Sequence, residues 1–538
     1  MKRPTPAWLR NAVFYEIYPQ SFRDANGDGI GDIPGIIEKL DYIADLGCNA
    51  IWINPCFVSP FGDAGYDISD FYKVAPRYGT NDDLVRLFKE AKRRGIRVCL
   101  DLVAGHTSVE HPWFKESCRH KRNKYFNWYI WTNCIWDKGG DNVAMIGGAS
   151  ERDGNYLANF FYFQPALNYG YANPDPKKPW QLPVDHPDVK KVRAELKKIM
   201  RYWLDLGASG FRVDMAMSLV KNDPDSAETM KLWRDVREML DRDYPNAVII
   251  SEWSDPSKSV IGGFHVDFML HFGNPPAYSA LLRREPKEET PGARSFFDAS
   301  GKGNIRDFLD SYLQHYEITR EYGFISLPTG NHDIPRIAKG RAPREVLLVF
   351  AMLLTMPGIP FIYYGDEIAM RFIEGLPSKE GAYTSRTGSR TPMQWDRSAN
   401  LGFSTADASQ LYLPVDSVPD APTVEKQSRK QTALLSQVKE LIRLRRDNPA
   451  LSAEGLFEPL YAEAWKYPFI YSRSKAGKTF VIAVNPSDSK AQAEFELKGA
   501  GKLRLVHGDK VPHTLHAGQC KMTMKPLSYA IFEVSGTK

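Results

Sequence analysis

Three segments of the chain that have the composition of β-strands each end in a carboxylic acid. Asp214 ends Gly-Phe-Arg-Val-Asp, Glu252 follows the apolar run Val248–Ser251, and Asp333 ends Gly-Asn-His-Asp. Most enzymes that cleave a glycosidic bond place a pair of carboxylates on either side of that bond. Three acids at the ends of separate strands therefore predict one catalytic site, provided that the fold brings those ends together.

The immediate neighbours of two of these acids suggest different roles for them. Side chains two residues apart in a strand share a face, so Arg212 is expected beside Asp214, where its charge favours the ionised carboxylate that a nucleophile needs. Glu252 is followed by Trp253, and an apolar wall raises the pKa of a carboxyl group, as a general acid requires. The alternatives are a plain ion pair at a strand end and a glutamate without a special role.

Two histidines accompany the acids. His106 follows the predicted strand that carries Asp101, and His332 directly precedes Asp333. A single histidine is more often a structural hydrogen-bonding residue than a functional one, and Asn-His-Asp is also typical of a helix N-cap. At the C-terminal end of a strand, however, these side chains are expected to contact a substrate.

The elements that must position these residues alternate along the chain. Short segments rich in β-branched and aromatic residues are separated by helical patterns, and eight such units in about 450 residues predict an α/β fold, a (β/α)₈ or TIM barrel with insertions. Active sites of such barrels lie at the C-terminal ends of the strands. The predicted strands are residues 13–18, 50–54, 97–103, 210–214, 247–252, 264–269, 323–327 and 359–364.

Two departures from this alternation divide the chain. Residues 107–187 are rich in aromatic, Asn, Gly and Pro residues and predict an inserted subdomain after the third strand, over the C-terminal face of the barrel. The catalytic barrel then comprises residues 1–106 and 188–448. The strand-like segments of residues 449–538 predict a separate antiparallel β domain, a β-sandwich. A second irregular stretch, residues 371–429, is also expected to overhang the C-terminal face.

Length and composition limit the class of protein. The chain has 538 residues, 43% of them hydrophobic and 25% charged, with a net charge of +5, which allows a large core and more than one domain. No long basic stripe predicts a nucleic-acid partner, and no run of about 20 apolar residues predicts a membrane span. Because the N-terminus has no apolar run typical of a signal peptide, a cytoplasmic protein is expected.

Four segments together resemble the signature segments of the α-amylase superfamily of glycoside hydrolases (glycoside hydrolase family 13). DLVAGH, GFRVD, ISEW and GNHD occur in the order of that superfamily. NGDGIGDI, GYDISD, QPALN, NHDIPR and RTPMQW further resemble the branch that contains oligo-1,6-glucosidases, α-glucosidases, dextran glucosidases and trehalose synthases. The resemblance extends from about Trp8 to the C-terminus.

The resemblance implies a role for each of the three acids. Asp214 is expected to be the nucleophile that forms a β-glycosyl-enzyme, and Glu252 the general acid and then the base. Asp333 is expected to hold the 2- and 3-hydroxyls of the sugar. This is a retaining double displacement through a covalent intermediate.

The resemblance also implies the residues that bind the sugar. Tyr66 is expected to stack under the ring, Arg212 to orient the nucleophile, and the two histidines to bind hydroxyls. A pair formed by Asp67 and Arg336 is expected to close the far end of the pocket, which predicts exo-action. The predicted substrate-binding residues are Tyr66, Asp67, His106, Arg212, His332 and Arg336.

The segment 24–32 carries oxygen ligands at alternating positions, with glycines between them. It mimics an EF-hand loop, but the twelfth position is Gly35 instead of glutamate, and the alternative is a Gly/Asp-rich turn without metal. The resemblance implies a structural calcium ion, or another hard divalent cation, on this loop. The predicted ligands are the side chains of Asp24, Asn26, Asp28 and Asp32 and the carbonyl of Ile30.

Three residues depart from the pattern of the superfamily. Gly105 stands where an asparagine usually precedes the histidine, so a calcium site between barrel and subdomain is expected to be absent. Ala166 stands where an aspartate is usual, which removes a carboxylate from the subdomain. Met215 follows the nucleophile where relatives often have Val or Ala, and its size and flexibility give no prediction of linkage preference.

The predicted activity is that of an exo-acting, retaining α-glucosidase whose partner is a small oligosaccharide substrate. A transglycosylase or an isomerase, such as a trehalose synthase, would use the same acids, and an endo-acting amylase is a third hypothesis. A catalytically inactive sugar-binding protein is disfavoured because all three acids are present. The oligomeric state is left open.

Overall fold

A closed parallel barrel forms the centre of the molecule, which is described from a computed structural model that covers residues 4–140, 143–148, 150–284, 293–381 and 384–536. Strand β8 pairs with β1, and a parallel bridge between Pro328 and Phe361 joins the segment after β7 to β8. The predicted (β/α)₈ barrel is therefore confirmed. The strands are β1 Phe14–Ile17, β2 Ala50–Ile53, β3 Arg97–Val103, β4 Gly210–Asp214, β5 Val248–Ser251, β6 Val266–Phe268, β7 Phe324–Ser326 and β8 Phe361–Tyr363.

The strands explain why charged residues collect in the mouth of the barrel. Alternate side chains of a strand share a face, and Phe14 and Cys99 belong to the apolar cluster that fills the barrel interior. Two residues further along the same strands, Glu16 and Asp101 follow on that face, and Arg212 has the same position on β4. A buried polar layer therefore lies directly above an apolar plug, at the C-terminal end of the barrel.

The long helices follow the expected alternation with the strands. Residues 34–46, whose pattern predicts one helix, form two because Lys39 leaves the helical conformation, with φ −103° and ψ 6°. No sequence pattern predicts the helix between β5 and β6, because six residues are too few to show a helical period. The helices are α1 Ile33–Glu38, α2 Leu40–Leu46, α3 Asn81–Arg93, α4 Pro112–Ser117, α5 Pro187–Leu206, α6 Ala227–Asp243, α7 Pro256–Ile261, α8 Arg306–Thr319, α9 Pro343–Leu353, α10 Thr384–Thr387, α11 Val424–Ser428 and α12 Leu434–Asp447.

The segment between β3 and α5, where the inserted subdomain is predicted, contains little regular structure. It comprises α4, a two-stranded antiparallel sheet of Met145–Ile146 and Tyr156–Leu157, and loops. A second small sheet, Phe57–Val58 with Asp70–Val74, follows β2. Both segments place aromatic residues close to the mouth of the barrel. None of the helices in the described part of the chain combines the length and apolar character that a membrane span requires.

The C-terminal part consists of two antiparallel sheets that share one apolar core. One sheet has the order β9-β10-β11-β16-β13 and the other β12-β15-β14. Side chains of both sheets, such as Phe532 and Phe495, belong to the same core cluster, which agrees with the predicted sandwich. The first three and last two residues of the predicted domains lie outside the described residues. The strands are β9 Leu456–Tyr461, β10 Phe469–Lys475, β11 Lys478–Asn485, β12 Ala491–Glu496, β13 Lys502–Gly508, β14 His513–His516, β15 Gln519–Met524 and β16 Ser528–Ser535.

Two buried arginines, which we call the arginine clamp, connect the barrel to the C-terminal domain. Arg445 in α12 donates to the carbonyls of Leu354 and Met356 at 2.9 and 2.8 Å. Arg473 in β10 donates to the carbonyl of Thr355. These carbonyls lie just past the end of α9, where helix carbonyls lack intrahelical partners and the helix dipole is negative. The clamp therefore satisfies one helix end from both domains.

Candidate active site

A cavity of about 470 Å³ lies at the C-terminal ends of the barrel strands. All three predicted catalytic acids line it, and so do two of the predicted substrate-binding residues. The fold thus brings together side chains that are up to 267 positions apart in the chain, counted from Tyr66 to Asp333 (333 − 66). The predicted residues that line the cavity are Tyr66, His106, Asp214, Glu252 and Asp333.

One arginine holds the two reacting acids. Arg212 is 2% exposed, and its Nη1 lies 3.0 Å from Asp214 Oδ1 and 3.0 Å from Asp101 Oδ1, while its Nη2 lies 2.8 Å from Glu252 Oε1. The backbone turns sharply after β4, because Met215 has a left-handed φ of 43°, and its N–H donates to Glu252 Oε2 at 3.0 Å. Strained backbone of this kind is typical of functional sites. Arg212 therefore contacts Asp214 as predicted, but it also fixes Glu252 and Asp101.

Burial controls the proton affinity of both reacting acids. It raises the pKa of Glu252 to about 7 against the charge of Arg212, and the negative charge of Asp214 raises it further. It also raises the pKa of Asp214 to about 7, although the Arg212 ion pair opposes the rise. The sequence predicts that Arg212 favours an ionised Asp214, but in the structure burial outweighs this ion pair and the pKa is raised. Two such neighbouring groups titrate as a pair, so a state with one ionised and one protonated acid is accessible near pH 7.

The raised pKa of Glu252 agrees with the prediction, but its cause is different. Trp253 packs edge-on against Phe264, with ring centroids 6.4 Å apart, and is not part of the cavity lining. The pKa of Glu252 is therefore raised by burial of the whole strand end, which leaves Glu252 8% exposed, and not by an apolar wall formed by Trp253.

Asp333 has the opposite electrostatic environment. Arg386 Nη1 and Arg390 Nη2 both lie 3.1 Å from Asp333 Oδ1, and His332 Nε2 lies 3.4 Å from its Oδ2. Burial alone would raise the pKa of Asp333, but these cationic and polar neighbours hold it below its usual range. Asn331 Oδ1 accepts the backbone N–H of Asp333 at 2.8 Å and fixes the turn. Asp333 is therefore an ionised acceptor, suited to sugar hydroxyls.

The two predicted histidines occupy different positions. His106 lines the cavity, and its Nε2 lies 3.1 Å from the carbonyl of Tyr66, while its Nδ1 lies 3.1 Å from Asn159 Nδ2. His332 lies behind the cavity wall, 1% exposed, and stacks on the ring of Tyr66 at 5.3 Å. His332 is therefore placed to support Tyr66 and Asp333 and is not itself part of the cavity lining.

The predicted pair of Asp67 and Arg336 does not form. Asp67 is turned toward its own loop and accepts hydrogen bonds from the Ser59 hydroxyl and the backbone N–H of Gly62, at 2.9 and 2.8 Å. Arg336 is fully buried and pairs with Asp366 at 3.5 Å. This prediction was wrong because Asp67 is bound by its own loop, while Arg336 Nη1 is directed to Asp366 and to the carbonyl of Tyr364, outside the cavity.

Two other charged residues, Asp63 and Arg390, line the cavity instead. Burial raises the pKa of Asp63 to about 6, while a hydrogen bond from Gln164 and the charge of Arg390 oppose the rise. Arg390 is 1% exposed and also donates to the carbonyl of His332 at 2.8 Å. A sequence signal for both residues exists, because Asp63 lies three residues before Tyr66 and Arg390 opens RTPMQW.

The mouth of the cavity contains residues that no sequence pattern predicts. They come from three separate segments, and two of them are phenylalanine side chains that are 45% and 42% exposed. We call this set the rim. The rim consists of Phe160, His271, Phe272 and Arg386.

The predicted calcium loop lies outside the cavity, and its acids make hydrogen bonds to the protein itself. Asp24 accepts from three backbone N–H groups of the loop and from the hydroxyl of Ser404, Asp28 accepts from the N–H of Ile30, and Asp32 caps α1. In the described ranges, no three acidic, histidine or cysteine side chains converge as a metal site. The donors are of the type that calcium prefers, but the structure supplies no fit for the ion, and calcium stays a prediction. Its predicted ligands are Asp24, Asn26, Asp28, Ile30 and Asp32.

Comparison with known proteins identifies the family of this chain. The family described as alpha amylase, catalytic domain, matches residues 16–454. The trehalose synthase/amylase TreS of Mycobacterium tuberculosis (strain CDC 1551 / Oshkosh) is 32% identical over 495 residues, which cover 85% of this chain and 78% of that protein. A glucan 1,6-alpha-glucosidase of Streptococcus pneumoniae serotype 4 is 30% identical over 552 residues, which cover 93% of this chain and 94% of that protein.

A solved structure is similar over the whole length of the chain. The trehalulose synthase MutB from Pseudomonas mesoacidophila MX-45 matches with a TM-score of 0.79 and 28% identity, covering 99% of this chain and 100% of that one. A mutant of MutB has been solved in complex with its substrate sucrose. Fold, site and sequence agree, and the chain belongs to the α-amylase family of glycoside hydrolases.

Proposed function

We propose that this enzyme is an exo-acting α-glucosidase that releases glucose from short α-glucosides with retention of configuration. The observation that carries the proposal is the wall of the cavity beyond Asp333. Asp63 and the buried Arg390 line the cavity there, and Arg390 is anchored to Asp333 and to the backbone of His332. A terminal glucose fits against such a charged wall, whereas a longer chain would have to displace a buried arginine.

The raised pKa values of the two acids support a state with Asp214 ionised and Glu252 protonated, as a double displacement needs. In the first step Glu252 donates its proton to the glycosidic oxygen while Asp214 attacks the anomeric carbon, so that the leaving sugar departs with an intact hydroxyl. In the second step water attacks the same carbon, gives its proton to Glu252 and releases Asp214. Arg212 contacts both acids and stays paired with Asp101 throughout. Asp333 accepts hydrogen bonds from the sugar.

Blocked oligosaccharides test exo-action directly. Maltotriose and a 4-nitrophenyl maltoheptaoside would be compared with the same heptaoside carrying a 4,6-O-ethylidene group on its non-reducing glucose. An exo-enzyme cleaves the free ends and leaves the blocked substrate intact. Cleavage of the blocked substrate at internal bonds would refute exo-action and favour an endo-acting amylase.

An isomerase is the second candidate, and the rim favours it. The guanidinium of Arg386 lies 5.9 Å from the ring centre of Phe160, and Phe272 stands exposed beside it. An aromatic and cationic mouth can hold a released sugar close to the glycosyl-enzyme and exclude water. Relatives include proteins named trehalose synthase and trehalulose synthase. Incubation with maltose, isomaltose and sucrose decides between the two: rearranged disaccharides without free glucose would support the isomerase.

A further inference from the structure

The carboxyl group of Glu16 lies beneath the cavity and has no part in the proposed reaction. Glu16 is carried by β1 and is fully buried. Its Oε1 lies 2.9 Å from His332 Nδ1 and 3.4 Å from Asn54 Nδ2. His332 in turn touches Tyr66 and Asp333, both of which line the cavity. Glu16 is therefore one side chain away from the residues that meet the sugar.

The contacts around His332 determine which ring nitrogen carries the proton. Burial lowers the pKa of His332 to about 3, so the ring is neutral and has a single N–H. Its Nε2 lies 2.8 Å from Tyr66 Oη and 3.4 Å from Asp333 Oδ2. Asp333 is an acceptor, and Tyr66 donates its own proton to Asp101 at 3.0 Å. Both neighbours of Nε2 are therefore available as acceptors, and Nε2 is the protonated nitrogen.

It follows that Nδ1 of His332 is an acceptor. Asn54 Nδ2 approaches it at 3.0 Å as a donor, which is consistent. Glu16 Oε1 approaches the same nitrogen at 2.9 Å. If Glu16 were ionised, a lone pair of Oε1 would face the lone pair of Nδ1, which is unfavourable. A neutral carboxylic acid, in contrast, can donate its proton to Nδ1.

The opposite arrangement leaves two contacts unfavourable. If Nδ1 carried the proton and donated to an ionised Glu16, the N–H of Asn54 would face another N–H. The Nε2 lone pair would then face the carboxylate of Asp333. With the Asn54 amide oriented as in the structure, a protonated Glu16 places a donor opposite an acceptor at each of these contacts, with Asn54 and Glu16 sharing the Nδ1 lone pair.

The surroundings of Glu16 also favour its neutral form. Its Oε2 has no hydrogen-bond partner in the described part of the chain, and an orphaned oxygen costs far more in a buried carboxylate than in a neutral acid. Burial raises the pKa of Glu16 well above its usual range, while Arg212 on β4 opposes the rise and Asp333 and Asp101 add to it. On the β8 side, Tyr363 faces it as a neutral phenol, because its own pKa is raised by burial.

We propose that Glu16 is a positioning residue that stays a neutral carboxylic acid and donates its proton to His332 Nδ1. This hydrogen bond fixes the Nε2–H form of His332, which then holds Tyr66 Oη and Asp333 Oδ2. The orientation of two cavity residues thus depends on one buried proton on β1. Loss of that proton would favour the Nδ1–H form of His332, and Nε2 would no longer donate to Asp333.

Nitrogen NMR tests the proposal on the wild-type protein. The two-bond couplings between ring ¹⁵N and ring ¹H distinguish the two neutral forms of histidine. In protein labelled with ¹⁵N-histidine, the signal of His332 is the one of 11 that disappears in His332→Gln. We expect an Nε2–H imidazole at neutral pH. An Nδ1–H imidazole, or a doubly protonated ring, would overturn the proposal.

A pair of variants adds a functional measurement. Glu16→Gln keeps an N–H donor toward Nδ1, so the Nε2–H signal should persist and kcat/KM should stay within about threefold. Glu16→Leu removes the donor, and a misplaced substrate contact should lower kcat/KM by about 10- to 100-fold, with melting temperatures measured for both. Equal rates for the two folded variants, or a large loss in Glu16→Gln alone, would contradict the assignment. The rates rest on the proposed α-glucoside substrate, whereas the NMR signal does not, so failure of one is distinguishable from failure of the other.

Discussion

The floor and the rim of the cavity are built in different ways. The floor, which we define as Asp101, Arg212, Asp214 and Glu252, lies on or directly after three neighbouring strands, and each of its members is at most 8% exposed. The rim lies on two loops and the short helix α10, and its two phenylalanines are 45% and 42% exposed. The floor is connected through a single guanidinium, whereas rim residues belong to separate segments.

This difference separates reaction from product. The floor supplies a nucleophile, an acid and their shared arginine, which every retaining member of the family needs. The rim controls what enters and whether water or a sugar meets the glycosyl-enzyme. A change in the floor should therefore affect rate, and a change in the rim should affect the distribution of products.

The largest effect is expected from the floor. Asp214→Asn removes the nucleophile and should lower kcat by about 10⁴-fold or more, with the melting temperature kept because the amide is isosteric. Asp67→Asn is the matched control, since Asp67 lies outside the cavity, and it should leave kcat within a few-fold. Hydrolysis of 4-nitrophenyl α-glucoside measures both, and substantial turnover in the Asp214 variant would contradict its role.

The wall beyond Asp333 comes next. Arg390→Lys keeps the charge but loses the planar guanidinium that reaches both Asp333 and the His332 carbonyl. The value of kcat/KM should fall by about 100-fold, which is within the range for disrupting a buried charge pair. Arg336→Lys is an equally buried control and should lower the melting temperature while KM changes little. If the Arg336 variant altered KM and the Arg390 variant did not, the assignment of Arg390, and not Arg336, to the cavity wall would be wrong.

The pH profile tests the coupled acids of the floor. Activity needs Asp214 ionised, so it is lost as pH falls through the pKa of that group, and it needs Glu252 protonated, so it is lost as pH rises. Because burial raises both pKa values to about 7, kcat/KM should follow a narrow bell with its maximum near neutral pH. In Glu252→Gln, a 4-nitrophenyl leaving group needs no proton, and the alkaline limb should disappear. A retained alkaline limb would assign it to another group.

A smaller effect is expected at the rim. Phe272→Ala opens the mouth to water, so the ratio of transfer products to free glucose should fall several-fold while glucose release from 4-nitrophenyl α-glucoside changes by less than about threefold. Trp465→Ala is the control, because Trp465 is 49% exposed in the C-terminal domain segment. Chromatography of the products from maltose measures the ratio. If Phe272→Ala lowered the rate as much as a floor variant does, the separate roles assigned to the floor and the rim would be wrong.

The smallest effect on turnover is expected from chelation. If the loop binds calcium as predicted, EDTA should lower the melting temperature and leave the initial rate at low temperature almost unchanged, because the loop lies outside the cavity. Asp28→Asn should reproduce part of the shift. An unchanged melting temperature in EDTA would agree with the hydrogen-bonded loop and remove the calcium prediction.

The sequence predicts the barrel and the floor because both depend on local patterns. Short apolar runs separated by helical patterns define the strands, and an acid such as Glu252 at the end of a run must emerge at the barrel mouth. The partner of Arg336 could not be derived in this way, because Asp366 lies 30 positions away on another loop. Phe272 follows no period, since its place depends on how several loops pack. The positions and partners of such residues depend on tertiary packing and not on local sequence patterns.

The arginine clamp has a consequence for modularity. Arg445 belongs to the barrel and Arg473 to the β domain, yet both bind carbonyls that follow the same helix, α9. Removing the Arg473 guanidinium would leave a buried barrel carbonyl without its donor from the β domain, and removing Arg445 would loosen the same segment on which Arg473 rests, so heat should melt both modules in one cooperative transition. Recombination between relatives should succeed only where α9, Arg445 and Arg473 all come from the same parent. The barrel and the β domain therefore cannot be exchanged independently of each other.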